Sequence, residues 1–221
     1  MAAGGIMRAL RRVVEAWPEF RRDFPWRGLK DPWRALLAEL LLVQTDSAKA
    51  LAAYTKVMEA LPDPRSALRL GEGAIAELLR PLGLYRQRAK AIVKAAKFIL
   101  EEFGGEVPRS YEGLKRVPGV GDYIAAAVAI SACGEAAPAI DVNVARVLSR
   151  IALGRDAGKR YMYDRALRQL AEQISWTREL LFAVIDFAAQ ICTARSPKCH
   201  MCPARDSCRY FQSRGQAQAQ A

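Results

Sequence analysis

Apolar residues recur every three or four positions along most of this chain, over 7–17, 33–43, 47–61, 73–79, 88–103, 122–133, 142–151, 163–174 and 179–190. That spacing turns one face of each segment away from water and predicts an amphipathic helix in every case. Convincing alternation of apolar and polar residues, the mark of a half-buried strand, is missing. Breakers punctuate the helices: Pro62 and Pro64, Pro81 and Gly83, Gly104 and Gly105, Pro118, Gly134, Gly154. The pattern predicts an all-α protein of two lobes, with both chain ends in one of them. The expected lobes are 1–30 with 135–213, and 31–134. The low-complexity stretch 214–221 is expected to be a disordered tail.

Three local features interrupt this regular pattern. Glu39 sits among Ala35, Leu36, Leu37, Ala38 and Leu40, where a charge is costly unless it has a partner or lines a pocket. A structural ion pair is the plainer explanation; a functional carboxylate is the other. The run 114–124 reads Leu-Lys-Arg-Val-Pro-Gly-Val-Gly-Asp-Tyr-Ile. It predicts a helix, a tight turn and a new helix, a helix–hairpin–helix within 110–133. Gly119 and Gly121, either side of Val120, allow unusual backbone angles and close approach, so that turn amides face an anion such as a DNA phosphate. Twenty residues beyond Gly121, Asp141 stands where it would cap helix 142–151. Asn143 follows as the only asparagine of the chain, which suggests a task.

Charge and cysteine usage narrow the function. A net charge of +11 and a pI near 9.7 call for a polyanionic partner, nucleic acid ahead of membrane. No apolar run reaches the length of a bilayer span, so no membrane association is expected. The scarcity of asparagine hints at a hot-living prokaryote. Cys192, Cys199, Cys202 and Cys208 form C-x6-C-x2-C-x5-C, dense enough for a soft metal. Arg195, Lys198, Arg205 and Arg209 lie among them, which suits a metal loop that shapes a surface for phosphate. The absence of a secretory signal and an unpaired fifth cysteine, Cys133, point to a reducing intracellular site and away from disulfides. Zinc held by four thiolates is an alternative, although only Cys199 and Cys202 make the close pair common in zinc sites.

The cysteine spacing is similar, at all four positions, to the [4Fe-4S] loop of the endonuclease III and MutY family of DNA glycosylases. The hairpin with its downstream aspartate resembles the wider helix–hairpin–helix glycosylase superfamily, and the likeness runs over roughly 20–210. It implies a helix–hairpin–helix glycosylase fold with a C-terminal loop holding one [4Fe-4S] cluster per chain. It also implies a monomer that acts on double-stranded DNA containing a mismatched or damaged base. By the same resemblance Asp141 stabilises charge developing at the deoxyribose C1′ or positions a water, assisted by Asn143. Glu39, in Ala-Glu-x-x-Leu-x-Gln-Thr, would be the general acid on the base. Gln44 would wedge into the duplex, and Arg27 of Pro25-Trp26-Arg27 would line the base pocket. Tyr123 occupies the position where bifunctional members carry a lysine. A phenol forms no imine, which implies a monofunctional enzyme that leaves an abasic site.

The stretch 82–89, Leu-Gly-Leu-Tyr-Arg-Gln-Arg-Ala, resembles archaeal mismatch glycosylases that remove thymine or uracil opposite guanine. Val43-Gln44 is more similar to adenine glycosylases acting on A·G or A·8-oxoguanine. Thymine or uracil is the expected base and adenine the alternative. A non-catalytic iron–sulfur DNA-binding protein is the alternative of another class.

Overall fold

The computed structural model describes residues 3–213; the tail expected over 214–221 lies outside the described residues. The all-α expectation holds, with no strand among the described residues. Ten α-helices follow in order: α1 Ala3–Glu15, α2 Pro32–Leu42, α3 Ser47–Ala60, α4 Pro64–Leu79, α5 Tyr85–Phe103, α6 Tyr111–Lys115, α7 Asp122–Val128, α8 Val142–Leu148, α9 Arg165–Glu172 and α10 Arg178–Gln190. Wider π turns, Ala129–Cys133 and Ser149–Leu153, prolong α7 and α8. No helix among the described residues is long and apolar enough to cross a membrane.

The largest departure from the periodicity is α4, which starts at Pro64 rather than near residue 73. Pro64 opens this helix instead of breaking one, because a proline at the first helical position loses no needed N–H. Asp63 accepts from the Ser66 amide at 2.7 Å, and Ser66 Oγ accepts from the Asp63 amide at 3.2 Å, a reciprocal capping box. At Gly71 (φ 78°) the helix kinks, so the apolar period before and after it falls out of phase. Helix α6, only five residues long, is too short to declare itself by periodicity.

Two compact units result, Met1–Asp23 with Pro138–Ala221, and Phe24–Ala137. In the first, α10 packs against α1 and α8. Leu10, Val13, Val144, Leu148, Val184 and Phe187 are buried there. Asp186 of α10 is fully buried too. A carboxylate in that position must be answered, and it is: Trp17 Nε1 donates at 2.9 Å, the Arg22 amide at 3.0 Å and Arg22 Nε at 2.6 Å. The chain between α1 and the second unit is thereby tied to α10. In the second unit, α2 is apolar nearly all round because it is covered by α3, α5 and α7. Trp33 Nε1 donates to the Leu61 carbonyl at 2.9 Å, fixing α2 to the end of α3.

Removing the Asp186 carboxylate leaves three part-buried donors without this acceptor. Asp186→Ala should therefore lower unfolding free energy by about 3 kcal/mol. Urea denaturation followed by circular dichroism reads this directly, and a loss below about 1 kcal/mol would contradict the assigned role.

Candidate functional site

In the first unit Asp141 caps α8. Its Oδ1 accepts from the amides of Asn143 (2.9 Å) and Val144 (2.7 Å), and its Oδ2 from Asn143 Nδ2 (2.7 Å). The carboxylate is thus fixed by three donors at a helix N-terminus. Burial nevertheless pushes its pKa above the ordinary aspartate value, against those hydrogen bonds and the nearby Arg146. The group is aimed and poorly solvated, a combination expected of a carboxylate that meets positive charge in a reaction.

Asn143 is itself oriented. Its Oδ1 accepts from Arg146 Nη2 at 3.2 Å, which assigns the amide nitrogen to Asp141. Arg146 also donates to the carbonyls of Ala188 (2.8 Å) and Cys192 (2.8 Å), where α10 ends. One turn later Arg150, fully buried, donates to the Thr193 carbonyl at 2.7 Å, the Ala194 carbonyl at 2.9 Å and Cys192 Sγ at 3.5 Å, and pairs with Asp156 at 2.6 Å. Arginine suits this duty because its planar fork donates in several fixed directions. The wide turn Ser149–Leu153 leaves the Arg150 carbonyl 3.5 Å from Cys208 Sγ, where it accepts from the thiol.

Cys192, Cys199, Cys202 and Cys208 all line one small cavity, partly open to solvent, whose walls include Ile151, Phe187 and Pro197. Burial raises the thiol pKa of Cys192 and Cys208, and pushes that of Cys202 up to about 12. Four soft donors around one apolar cavity suit a soft-metal group, which would supply the positive charge that the buried thiolates lack. Among the described residues, no three His, Cys, Asp or Glu side chains are gathered closely enough to hold a single metal ion. His200, lying between two cysteines, is exposed.

In the second unit Glu39 is half-buried on α2 between the buried Ala38 and Leu40. Gln44 lies just past the end of that helix, exposed and in the left-handed region (φ 50°). Only one other non-glycine residue described shares that conformation, Leu84 (φ 47°) at the start of α5. An L-residue there costs about 1–2 kcal/mol. Arg88 of α5, 6% exposed, donates to the carbonyls of Leu40 (2.6 Å) and Leu41 (3.1 Å) at the end of α2.

The hairpin joins α6 to α7. Ser110 caps α6, and the Val120 amide closes the turn on the Val117 carbonyl at 3.1 Å. Two details differ from the sequence expectation. Val120 points into the core, 7% exposed, and its amide is spent within the turn, so it contributes packing rather than an anion contact. Gly121 has an ordinary extended backbone (φ −80°); only Gly119 needs the positive φ (86°). The Gly119 and Gly121 amides donate to no acceptor among the described residues. Tyr123 follows, half-buried in the first turn of α7. Lys115 lies 3.4 Å from Asp122 and 5.0 Å from the Tyr111 ring. Tyr111, Asp122 and Glu112 keep its ammonium protonated, which disfavours it as a nucleophile. Arg27, half-buried, lies 5.4 Å over Phe24, whose ring stacks on Trp26.

The family model described as "HhH-GPD superfamily base excision DNA repair protein" matches residues 37–173. The chain belongs to this superfamily. It is 38% identical over 214 residues to the thymine-DNA glycosylase of Aeropyrum pernix, covering 94% of this chain and 96% of that one. It is 34% identical over 212 residues to the thymine/uracil-DNA glycosylase of Pyrobaculum aerophilum, covering 91% of each. The solved structure of a thermostable thymine-DNA glycosylase superposes with a TM-score of 0.83 at 32% identity, over 92% of this chain and 95% of that one.

Within this HhH-GPD chain the structure groups Asp141 with Asn143, and aligns the four cysteines on one cavity. Three arginines with structural duties were not anticipated: Arg88, Arg146 and Arg150. The last two carry a legible signal, since a pair four residues apart on an otherwise apolar helix implies a common polar target. The acceptors of Arg88 are mostly main-chain carbonyls, which no residue type betrays.

The two hairpin glycines should respond differently to substitution. Gly119→Ala is expected to destabilise the protein by about 1 kcal/mol through its positive φ alone, as the added methyl would meet Ala91 Cβ at an ordinary 3.6 Å. Gly121→Ala should be near neutral, having open space and an ordinary φ. Equal losses in thermal denaturation would contradict this account of the turn.

Proposed function

We propose that this chain is a monofunctional DNA glycosylase that removes thymine or uracil opposite guanine and leaves an abasic site. The observation that carries the reading is the Asp141 carboxylate, fixed by three donors and desolvated, in a base excision repair family. The thymine- and thymine/uracil-DNA glycosylases named above match nearly the whole chain and support the base; adenine glycosylases are more distant relatives.

The target nucleotide leaves the duplex, since its glycosidic bond is out of reach while the base is stacked. Gln44 fills the space left behind, and the Gly119 and Gly121 amides hold a backbone phosphate near the hairpin. Arg27 lines the pocket that receives the base. As the C1′–N bond breaks, the electron pair leaves with the base and positive charge grows on the sugar, where the Asp141 carboxylate opposes it. Asn143 keeps that carboxylate aimed. Glu39 supplies the proton that the departing base needs. Water then adds at C1′ and gives its proton to the Asp141 carboxylate. Tyr123 offers no amine at this point, so no imine joins enzyme to sugar and no strand break follows.

The four cysteines would hold a [4Fe-4S] cluster. Their resemblance in spacing, with their shared cavity and its apolar walls, supports this reading. Such a cluster would order the loop that Arg146 and Arg150 hold. The protein acts as a monomer.

Duplexes bearing one T·G, U·G, A·G or A·8-oxoguanine pair, incubated with the protein and then treated with alkali, test the substrate. Cleavage at thymine and uracil is expected, with intact strands before alkali. Cleavage only at adenine would overturn the base assignment, and cleavage before alkali the monofunctional one. For the metal, protein purified without oxygen should be brown and contain iron and acid-labile sulfide in equal amounts. Cys202→Ala should lose both and unfold at lower temperature. A colourless protein containing zinc would overturn the cluster.

A further inference from the structure

Gln44 and Leu84 present a problem that the proposed chemistry leaves open. Each is an exposed side chain on a backbone turn that would be relaxed with glycine, yet neither is glycine. Strain kept at exposed positions suggests that the side chains themselves are wanted there. It also requires something nearby to hold the turns in place.

One side chain reaches both. Arg88 lies in the second unit, in the first turn of α5, four residues after Leu84. Its Nε donates to the Gly83 carbonyl at 3.2 Å, immediately before Leu84. Its own amide donates to the Leu84 carbonyl at 3.0 Å. Its Nη2 donates to the Val43 carbonyl at 2.5 Å and to the Thr45 hydroxyl, the residues on either side of Gln44. Its Nη1 closes the C-terminal end of α2 through the Leu40 and Leu41 carbonyls. Among the described residues the guanidinium meets main-chain carbonyls and one hydroxyl, and no carboxylate.

A cation buried without a counter-ion is an expensive way to cap a helix, because water or a glycine would serve. What the planar fork adds is geometry: donors pointing in several fixed directions join two separate turns. A lysine ammonium, compact and on a flexible stem, could satisfy one turn at a time.

We propose that Arg88 is a positioning residue for base extrusion, locking the Gln44 and Leu84 turns into one rigid element that the duplex meets as a unit. This rests on the reading of the chain as a base-extruding glycosylase with Gln44 at the vacated position. Arg88 touches no reacting atom. Its effect is on how readily the nucleotide leaves the stack, while affinity for the backbone comes from other groups.

The test compares wild type with Arg88→Met, which keeps the length of the stem and removes the donors, and with Arg88→Lys. A duplex with a U·G pair and 2-aminopurine beside the uracil reports extrusion by fluorescence, and alkali cleavage reports excision. At saturating protein, Arg88→Met should bind the duplex within about threefold of wild type, lose most of the fluorescence rise and excise about 100-fold more slowly under single turnover, the loss typical of a small misplacement. Arg88→Lys should restore little of either. A folded Arg88→Met with the full fluorescence rise, or with an unchanged rate, would overturn the proposal. So would a loss confined to duplex affinity, which marks a merely structural residue. Should Arg88→Met fail to fold, Thr45→Val removes one acceptor while keeping the shape, and the same readouts apply: a partial loss of extrusion supports the proposal and none overturns it. A wild-type protein that extrudes uracil without excising any base would sink the glycosylase reading and leave the role of Arg88 standing; one that does neither would sink both.

Discussion

Two arginines one helical turn apart are the constraint on which the first unit depends. Arg146 and Arg150 both reach from α8 and its π turn to the segment 188–194, and between them they bind four main-chain carbonyls and the first thiol of the cysteine cavity. Those carbonyls belong to a helix end and an irregular loop, where buried main-chain groups lack partners of their own. Satisfying them from a neighbouring helix makes the loop part of the core rather than an appendage. Arg146 also orients Asn143, and Asn143 orients Asp141. The carboxylate assigned to the chemistry and the loop assigned to the metal are consequently supported by the same short helix.

The second unit solves a related problem with the opposite economy. There one guanidinium, that of Arg88, serves two turns at once. In both units a cation is buried against carbonyl oxygens, an arrangement stable only when every donor is used, because a guanidinium left partly unsatisfied away from water is costly. The half-buried Glu39 and the enclosed Asp141 bring carboxyl groups into poorly solvated places. Polar groups in such places interact strongly with charge that appears during a reaction.

Much of this was readable in the residues, for identifiable reasons. Helices such as α2, α3 and α10 bury a regular face, so their period survives in the sequence. Asp141 was legible as a cap because capping is a local interaction of a side chain with amides two and three residues on. The four cysteines stood out by their spacing, and they line one cavity in the fold. What stayed hidden was non-local or conformational. Pro64 reads as a breaker until Asp63 and Ser66 are seen to cap the helix it opens, and Gly71 conceals the continuity of α4 by shifting its phase. Val120 looks like a member of an anion-binding turn, but its amide is already used and its side chain is buried. The left-handed angles at Gln44 and Leu84 have no signature in residue type, and their anchor, Arg88, lies more than forty residues from Gln44 in sequence.

Everything assigned to the chemistry converges on the ionised Asp141 carboxylate. Its most direct test is the single-turnover rate of base excision as a function of pH, for wild type and Asp141→Asn. Burial raises the pKa of this group above the 3.8 of an ordinary aspartate. Its proton therefore stays on to higher pH, and the rate should fall as pH drops through a value above 3.8. The asparagine variant, which keeps one acceptor for the cap but carries no charge, should be slowed by at least about 100-fold, with no acid limb of its own. An asparagine variant that excises at the wild-type rate, or a wild-type acid limb below 3.8, would contradict the account.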